Sequence, residues 1–258
     1  MIDPGRKVLI MGILNLNGDS FYAPSRYNFP VLDEGPDILD IGAVSTRPGA
    51  AEVSADAEWA RLEPVLRMLD GSVAVSLDTT RAEVVARACD LLGRPVIVND
   101  ISAGEDDPAM LPLVGRLGLE YVAMHKRGTP ATMQSLCEYS DVVADIMDYF
   151  RSFALKAREH GVSDWILDPG FGFAKTVEQN YRLLDSLADF RILGHPVLVG
   201  ISRKSFMYKP LGKGPEDVLT ATQVLHMAAL ERGADILRVH DVAAARETLS
   251  LYRMLRGA

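Results

Sequence analysis

Residues 38–78 carry the pattern that decides the fold. They run Ile38-Leu39-Asp40-Ile41-Gly42, then a longer stretch over 56–69, then Val73-Ala74-Val75-Ser76-Leu77-Asp78. The two short runs are apolar on both faces. That suits parallel strands covered by helices better than strands with one wet face. Between them Trp59, Leu62, Leu66 and Leu69 recur at helical spacing. Strand, helix, strand is one βαβ unit.

The same alternation extends outward in both directions. Apolar runs occupy 8–14, 38–42, 73–78, 95–100, 121–125, 165–168, 197–202 and 236–240. Among the stretches between them, 141–160 carries Val142, Ile146, Tyr149, Phe153 and Lys156 on one side. The stretch 217–232 carries Val218, Ala221, Leu225, Ala228 and Ala229, and 242–255 closes the chain. Eight such units predict an α/β fold, a (β/α)8 TIM barrel, as one domain over 1–258. An open doubly wound sheet is disfavoured because no glycine-rich dinucleotide fingerprint follows the first strand. One unit is irregular. The segment 21–37 holds Pro24, Pro30, Gly35 and Pro36, and proline blocks helix interiors. The first helix is expected to be shortened or missing, with at most a turn around 31–34.

Composition narrows the function classes. The chain has 258 residues, 48% hydrophobic and 24% charged, which suits a soluble globular protein. The formal net charge of −8 disfavours nucleic acid and anionic membrane surfaces as partners. The first residues do not read as a signal peptide, and no run approaches the ~18 apolar residues of a membrane span. The expected compartment is the cytoplasm. Cys89 and Cys137 both fall in segments that read as helix, without metal-site spacing.

In a barrel of this type, catalytic groups sit at the C-terminal strand ends. Those ends here are Asn15, Asp40, Asp78, Asn99 with Asp100, His125, Asp168, Ser202-Arg203-Lys204, and Arg238 with His240. So many polar groups on one rim are costly to bury without a ligand. The cations Arg203, Lys204 and Arg238, with His240, cluster at strands seven and eight, where barrels often bind phosphate. Asn15 adds a neutral oxygen suited to Mg2+, which usually travels with diphosphate. Asp78, Asn99 and Asp168 are acceptors suited to a ring bearing several N–H groups. The rim therefore fits a molecule with a nitrogen-rich head and a phosphorylated tail. Two loops, 17–21 and 44–50, stand over it as candidate lids. Trp59 and Trp165 read as packing residues. His125 reads as a core hydrogen-bonding residue or a site residue. His160, His195 and His226 read as surface or helix residues.

At these positions the chain resembles dihydropteroate synthase. The motifs are Met11-Gly12-Ile13-Leu14-Asn15, Asp19-Ser20-Phe21, Asp40-Ile41-Gly42, Ser45-Thr46-Arg47-Pro48-Gly49, Asn99-Asp100-Ile101, Met124-His125 with Arg127-Gly128-Thr129-Pro130, Asp168-Pro169-Gly170-Phe171-Gly172-Phe173, Ser202-Arg203-Lys204-Ser205 and Arg238-Val239-His240-Asp241. They occur in family order across nearly the whole chain. The resemblance implies condensation of 6-hydroxymethyl-7,8-dihydropterin diphosphate with p-aminobenzoate, releasing diphosphate. It implies that Asp78, Asn99, Asp168 and Lys204 hold the pterin. It also implies that Asn15, Arg238 and His240 hold the diphosphate, with Mg2+ against Asn15. Thr46, Arg47 and Pro48 would close over p-aminobenzoate. Phe21, Phe173 and Ser205 would form its pocket. Met124 and Gly200 would complete the substrate lining, and Asp19 would join the metal site. Asp78, Lys204, Arg47, Thr46 and Asp19 are the expected catalytic set. The late helices are expected to form a homodimer.

Departures from the family pattern fall in the loops. Asn17-Gly18 stands where the family usually has Thr-Pro, and glycine loosens a loop that proline stiffens. Ala43 and Val44 replace a frequent glycine and polar residue. A pterin-dependent methyltransferase domain would not need the Ser45–Pro48 loop or the Arg238/His240 pair. A catalytically impaired pterin-binding paralogue is the other alternative, separable by product formation.

Overall fold

The computed structural model describes residues 7–16, 30–44, 53–128 and 132–257. Eight parallel strands form one sheet: β1 (Leu9–Asn15), β2 (Ile38–Gly42), β3 (Ala74–Asp78), β4 (Ile97–Asp100), β5 (Tyr121–Met124), β6 (Trp165–Asp168), β7 (Leu198–Val199) and β8 (Ile236–Val239). The hydrogen-bonded order runs β6-β5-β4-β3-β2-β1-β8-β7. A Leu167–Val197 bridge and a 2.9 Å bond from the Leu167 N–H to the Pro196 carbonyl join β6 to the start of β7. The sheet thereby curls into the expected barrel.

Around it lie α1 (Pro30–Asp33), α2 (Ala55–Leu66), α3 (Ala82–Leu92), α4 (Met110–Leu117), α5 (Val142–Glu159), α6 (Val177–Asp185), α7 (Ser205–Tyr208), α8 (Leu219–Glu231) and α9 (Val242–Arg256). Helix α1 is a single turn, as the prolines imply. Gly12 of β1 lets cover come close. A Cβ there would lie 2.8 Å from both Val31 of α1 and Val242 of α9. The short turn and the last helix thus share the side of the barrel that a full first helix would cover.

Two apolar layers hold the fold. Inside the barrel, Met11, Ile38, Ile97, Val122, Ile166, Leu198 and Ile236 pack into one plug. Outside, residues such as Leu39, Leu77, Val98 and Leu237 meet Leu62, Val85, Val114, Phe150 and Leu183 of the helices. Trp165 is part of this outer layer, ringed by Phe150, Phe153 and His195.

The structure corrects several sequence expectations. The seventh strand spans two residues, not the six of 197–202. Gly200 follows it, and Arg203 takes a positive φ of 55°, which turns the chain out of the sheet. Cys137 lies after a 3-10 turn at Met133–Ser135, outside any helix. Lys156 is exposed, since its long stem carries the charge to water off the apolar face of α5. His226 is in a helix as expected but is fully buried, with Nδ1 3.2 Å from Gln223 Oε1.

Candidate active site

Side chains two residues apart on a strand share a face. Two residues beyond the apolar plug, the inward positions are Asp40, Asn99, Met124, Asp168, Gly200 and Arg238. The site is thus the next layer of the barrel interior, where apolar filling gives way to polar groups. Asp78 stands on β3 beside Asn99, its register partner. Glycine at position 42 makes room for it, because a Cβ there would lie 3.2 Å from that of Asp78.

Arg238 is the hub. Its Nε donates to Asp40 Oδ2 at 2.6 Å, and another guanidinium nitrogen donates to Asp78 Oδ2 at 2.6 Å. Asn99 Nδ2 donates to the same Asp40 oxygen at 3.1 Å. Burial alone would lower the Arg238 pKa, but Asp40 and Asp78 outweigh it and hold the charge firmly. Asp78 is pushed up to about 7, chiefly by burial, with Arg238 opposing and Asp40 adding to the rise. Asp168 is raised too, by burial, against the pull of Lys204 and a bond from the Gly170 N–H at 2.8 Å.

Lys204 completes this group. Its Nζ donates to the Phe171 carbonyl and lies 4.8 Å from the centre of the Phe173 ring. Burial brings its pKa down to about 8, against the pull of Asp168. The loop after β6 is held from behind by a second lysine. Lys175 is 4% exposed, and its Nζ reaches the carbonyls of Gly170 at 2.8 Å and Phe173 at 3.0 Å. It also lies 3.2 Å from His125 Nδ1. Burial lowers Lys175 to about 7, and burial with the Lys175 charge lowers His125 to about 2. His125 is therefore neutral and supports the loop from the core.

At the outer rim His240 keeps one edge in solvent and has its Nδ1 side against the rim, 3.0 Å from Ser202 Oγ. Burial, then Arg238 and Arg203, bring its pKa down to about 4, so near neutral pH it offers a hydrogen bond and no charge. Asn15 is exposed at the tip of β1. No group of three or more His, Cys, Asp or Glu suited to a metal occurs among the described residues. A single neutral amide fits Mg2+ that is held mainly by diphosphate oxygens and water. Ser205 opens α7, directly after Lys204. Asp19, Phe21, Thr46, Arg47 and Pro48 lie outside the described residues.

Two rim residues have other tasks. Arg203 turns away from the cation cluster, donating to Asp241 at 3.0 and 2.5 Å and pairing with Glu216. Asp100 is a structural acceptor, taking the Ser102 and Gly104 N–H groups and the Tyr121 hydroxyl at 2.7 Å. Sequence reasoning placed Asp40 on the rim without giving it a partner or a specific task, and gave no role to Lys175. The signal for Asp40 was a charge inside an apolar strand, which must find a partner. Lys175 had no such signal, since a lysine after a loop usually faces water.

The model of pterin-binding enzymes matches residues 11–240. The chain is 40% identical to the dihydropteroate synthase of Synechocystis sp. over 258 residues, covering 95% of this chain and 89% of that one. A crystal structure of Yersinia pestis dihydropteroate synthase in a sulfonamide drug complex superposes with a TM-score of 0.89 at 34% identity, covering 100% of this chain and 97% of the other. The Thermus thermophilus dihydropteroate synthase in complex with 4-aminobenzoate gives 0.85 at 40% identity, covering 98% and 96%.

Proposed function

The chain belongs to the dihydropteroate synthase family of pterin-binding enzymes, and we infer that its rim joins a pterin diphosphate to p-aminobenzoate. The product is 7,8-dihydropteroate, with diphosphate released, as a step of folate biosynthesis. The observation that carries the site reading is Arg238 bonded to Asp78 at 2.6 Å, within the field of Asp168 and Lys204. Cations for a leaving diphosphate and acceptors for a heterocycle meet in one barrel mouth.

Asp78, Asn99, Asp168 and Lys204 bind the pterin in this reading, with Met124 and Gly200 lining its pocket. Asn15, Arg238 and His240 take the diphosphate. Phe21, Thr46, Arg47, Pro48, Phe173 and Ser205 take p-aminobenzoate. The bond from the pterin methylene carbon to the diphosphate oxygen breaks heterolytically, and its electron pair leaves with diphosphate. Arg238 and His240 hold the departing anion. Asp78, as a carboxylate, stabilises the methylene cation. The amine of p-aminobenzoate then attacks that carbon, forms the C–N bond and loses a proton to solvent. Asn15, together with Asp19, would hold a Mg2+ ion that neutralises part of the diphosphate charge.

An assay of diphosphate release with and without p-aminobenzoate tests the reading. Release that depends on p-aminobenzoate and matches dihydropteroate formed is expected. Pterin binding without product would instead assign a pterin-binding module.

We also propose a homodimer through α8 and α9. Its support is the exposure of Leu219, Val224, Leu251, Met254 and Leu255 on those helices. Light scattering coupled to gel filtration should give twice the chain mass; the single-chain mass would exclude it. No helix among the described residues is long and apolar enough to cross a membrane.

A further inference from the structure

Asp40 is fully buried in the barrel and is used by two site residues at once. Its Oδ2 accepts from Asn99 Nδ2 at 3.1 Å and from Arg238 Nε at 2.6 Å. Its Oδ1 has no partner among the described residues. A buried carboxylate is costly on its own, and the Arg238 guanidinium is the cation that compensates it.

The consequence for Asn99 is directional. An amide has one donor end and one acceptor end, and a carboxylate can only accept. Asp40 therefore claims the Nδ2 end and leaves Oδ1 as the end that Asn99 presents elsewhere. Asp78, its register partner on β3, and Asp168, at the same level on β6, are acceptors too, so the three together demand donors from a ligand. Were the amide reversed, an N–H would face the ring N–H groups, and the pattern would break.

We propose that Asp40 is a positioning residue for the pterin, fixing the Asn99 amide as an acceptor toward the ring and holding Arg238 between itself and Asp78. This rests on the synthase reading and adds to it the residue that sets which heterocycle edge the pocket accepts.

Changing what position 40 can offer tests it. Asn99 and Arg238 share one Asp40 oxygen, so Asp40→Asn can keep an oxygen there, pinned by the Arg238 N–H, and still set the direction of the Asn99 amide. Asp40→Ser puts there a hydroxyl that can donate as well as accept, and the direction of Asn99 is no longer fixed. Calorimetry with 6-hydroxymethyl-7,8-dihydropterin diphosphate should show Asp40→Ser binding about tenfold more weakly or worse, the cost of one mispaired buried polar group. Asp40→Asn should recover most of that loss, and the KM for p-aminobenzoate should stay within about twofold in both. A purely structural role would lower the active fraction and leave affinities unchanged. If Asp40→Ser does not fold, Asp40→Thr, with the same hydroxyl, decides in its place. A folded hydroxyl variant that binds like wild type, or an Asp40→Asn that binds no better than it, overturns the inference. Wild-type protein that fails to bind the pterin diphosphate overturns the synthase reading as well.

Discussion

Asp168 has one oxygen committed to the Gly170 N–H, the residue is 6% exposed, and in the proposed site its other oxygen takes the pterin. Asp168→Asn would put a donor where an acceptor is needed. Calorimetry should show a loss of about tenfold or more in pterin affinity; unchanged affinity would remove Asp168 from the pterin site. Asp78 adds a pH dependence. Burial raises it to about 7; Arg238 pulls it down, while Asp40, Glu58 and Asp100 push it up. Lys204 faces it from the loop after β7. A raised carboxyl is protonated below that value and ionised above it. So kcat/KM for the pterin diphosphate should climb as pH rises through about 7 and fall again above about 8, where Lys204 loses its charge. The climb should vanish from the residual activity of Asp78→Asn.

The loop after β6 shows how an element builds the site. Gly170, Gly172 and Ala174 all take positive φ, of 71°, 81° and 48°. A Cβ at Gly170 would lie 2.0 Å from the His125 carbonyl oxygen, so the loop closes over β5 only with glycine there. Lys175 fills the centre and satisfies the carbonyls of Gly170 and Phe173. Lys175→Met would leave both unpaired in the interior. Urea unfolding should report a loss of about 1–3 kcal/mol or more, and a variant as stable as wild type would show that other donors replace the ammonium. The same element explains Phe173: its ring is aimed by a loop clamped between Lys175 behind and Lys204 in front.

At the scale of the molecule, the barrel separates stability from chemistry by one step along each strand. The inward residues Ile38, Ile97, Ile166 and Ile236 form a dry plug, and the inward residues two positions later form the site. Ile166→Ala should cost about 2–5 kcal/mol in chemical unfolding while leaving both KM values near wild type. Asp168→Asn, two residues on, should do the reverse. Equal effects on stability and KM from both would deny that layering. The weakest stretch of the ring is the β6–β7 edge, which is joined by the Leu167–Val197 bridge and has only the two-residue β7 beside it.

The strands, their parallel arrangement and the rim of polar ends were readable from the chain. Apolar residues on both faces of short runs have only one stable placement, and a charge at the end of such a run needs a partner or a ligand. Asp40 inside Ile-Leu-Asp-Ile was as visible as the rest, but not which groups it would meet. Strand register brings Asn99 and Arg238 to it from 59 and 198 residues away. Loop packing at the closed rim likewise set Arg203 against Asp241 and put Lys175 inside, and β7 runs for only two residues. Local pattern fixes what each residue prefers, but a partner's position depends on closure of the whole ring, and only the tertiary structure decides that.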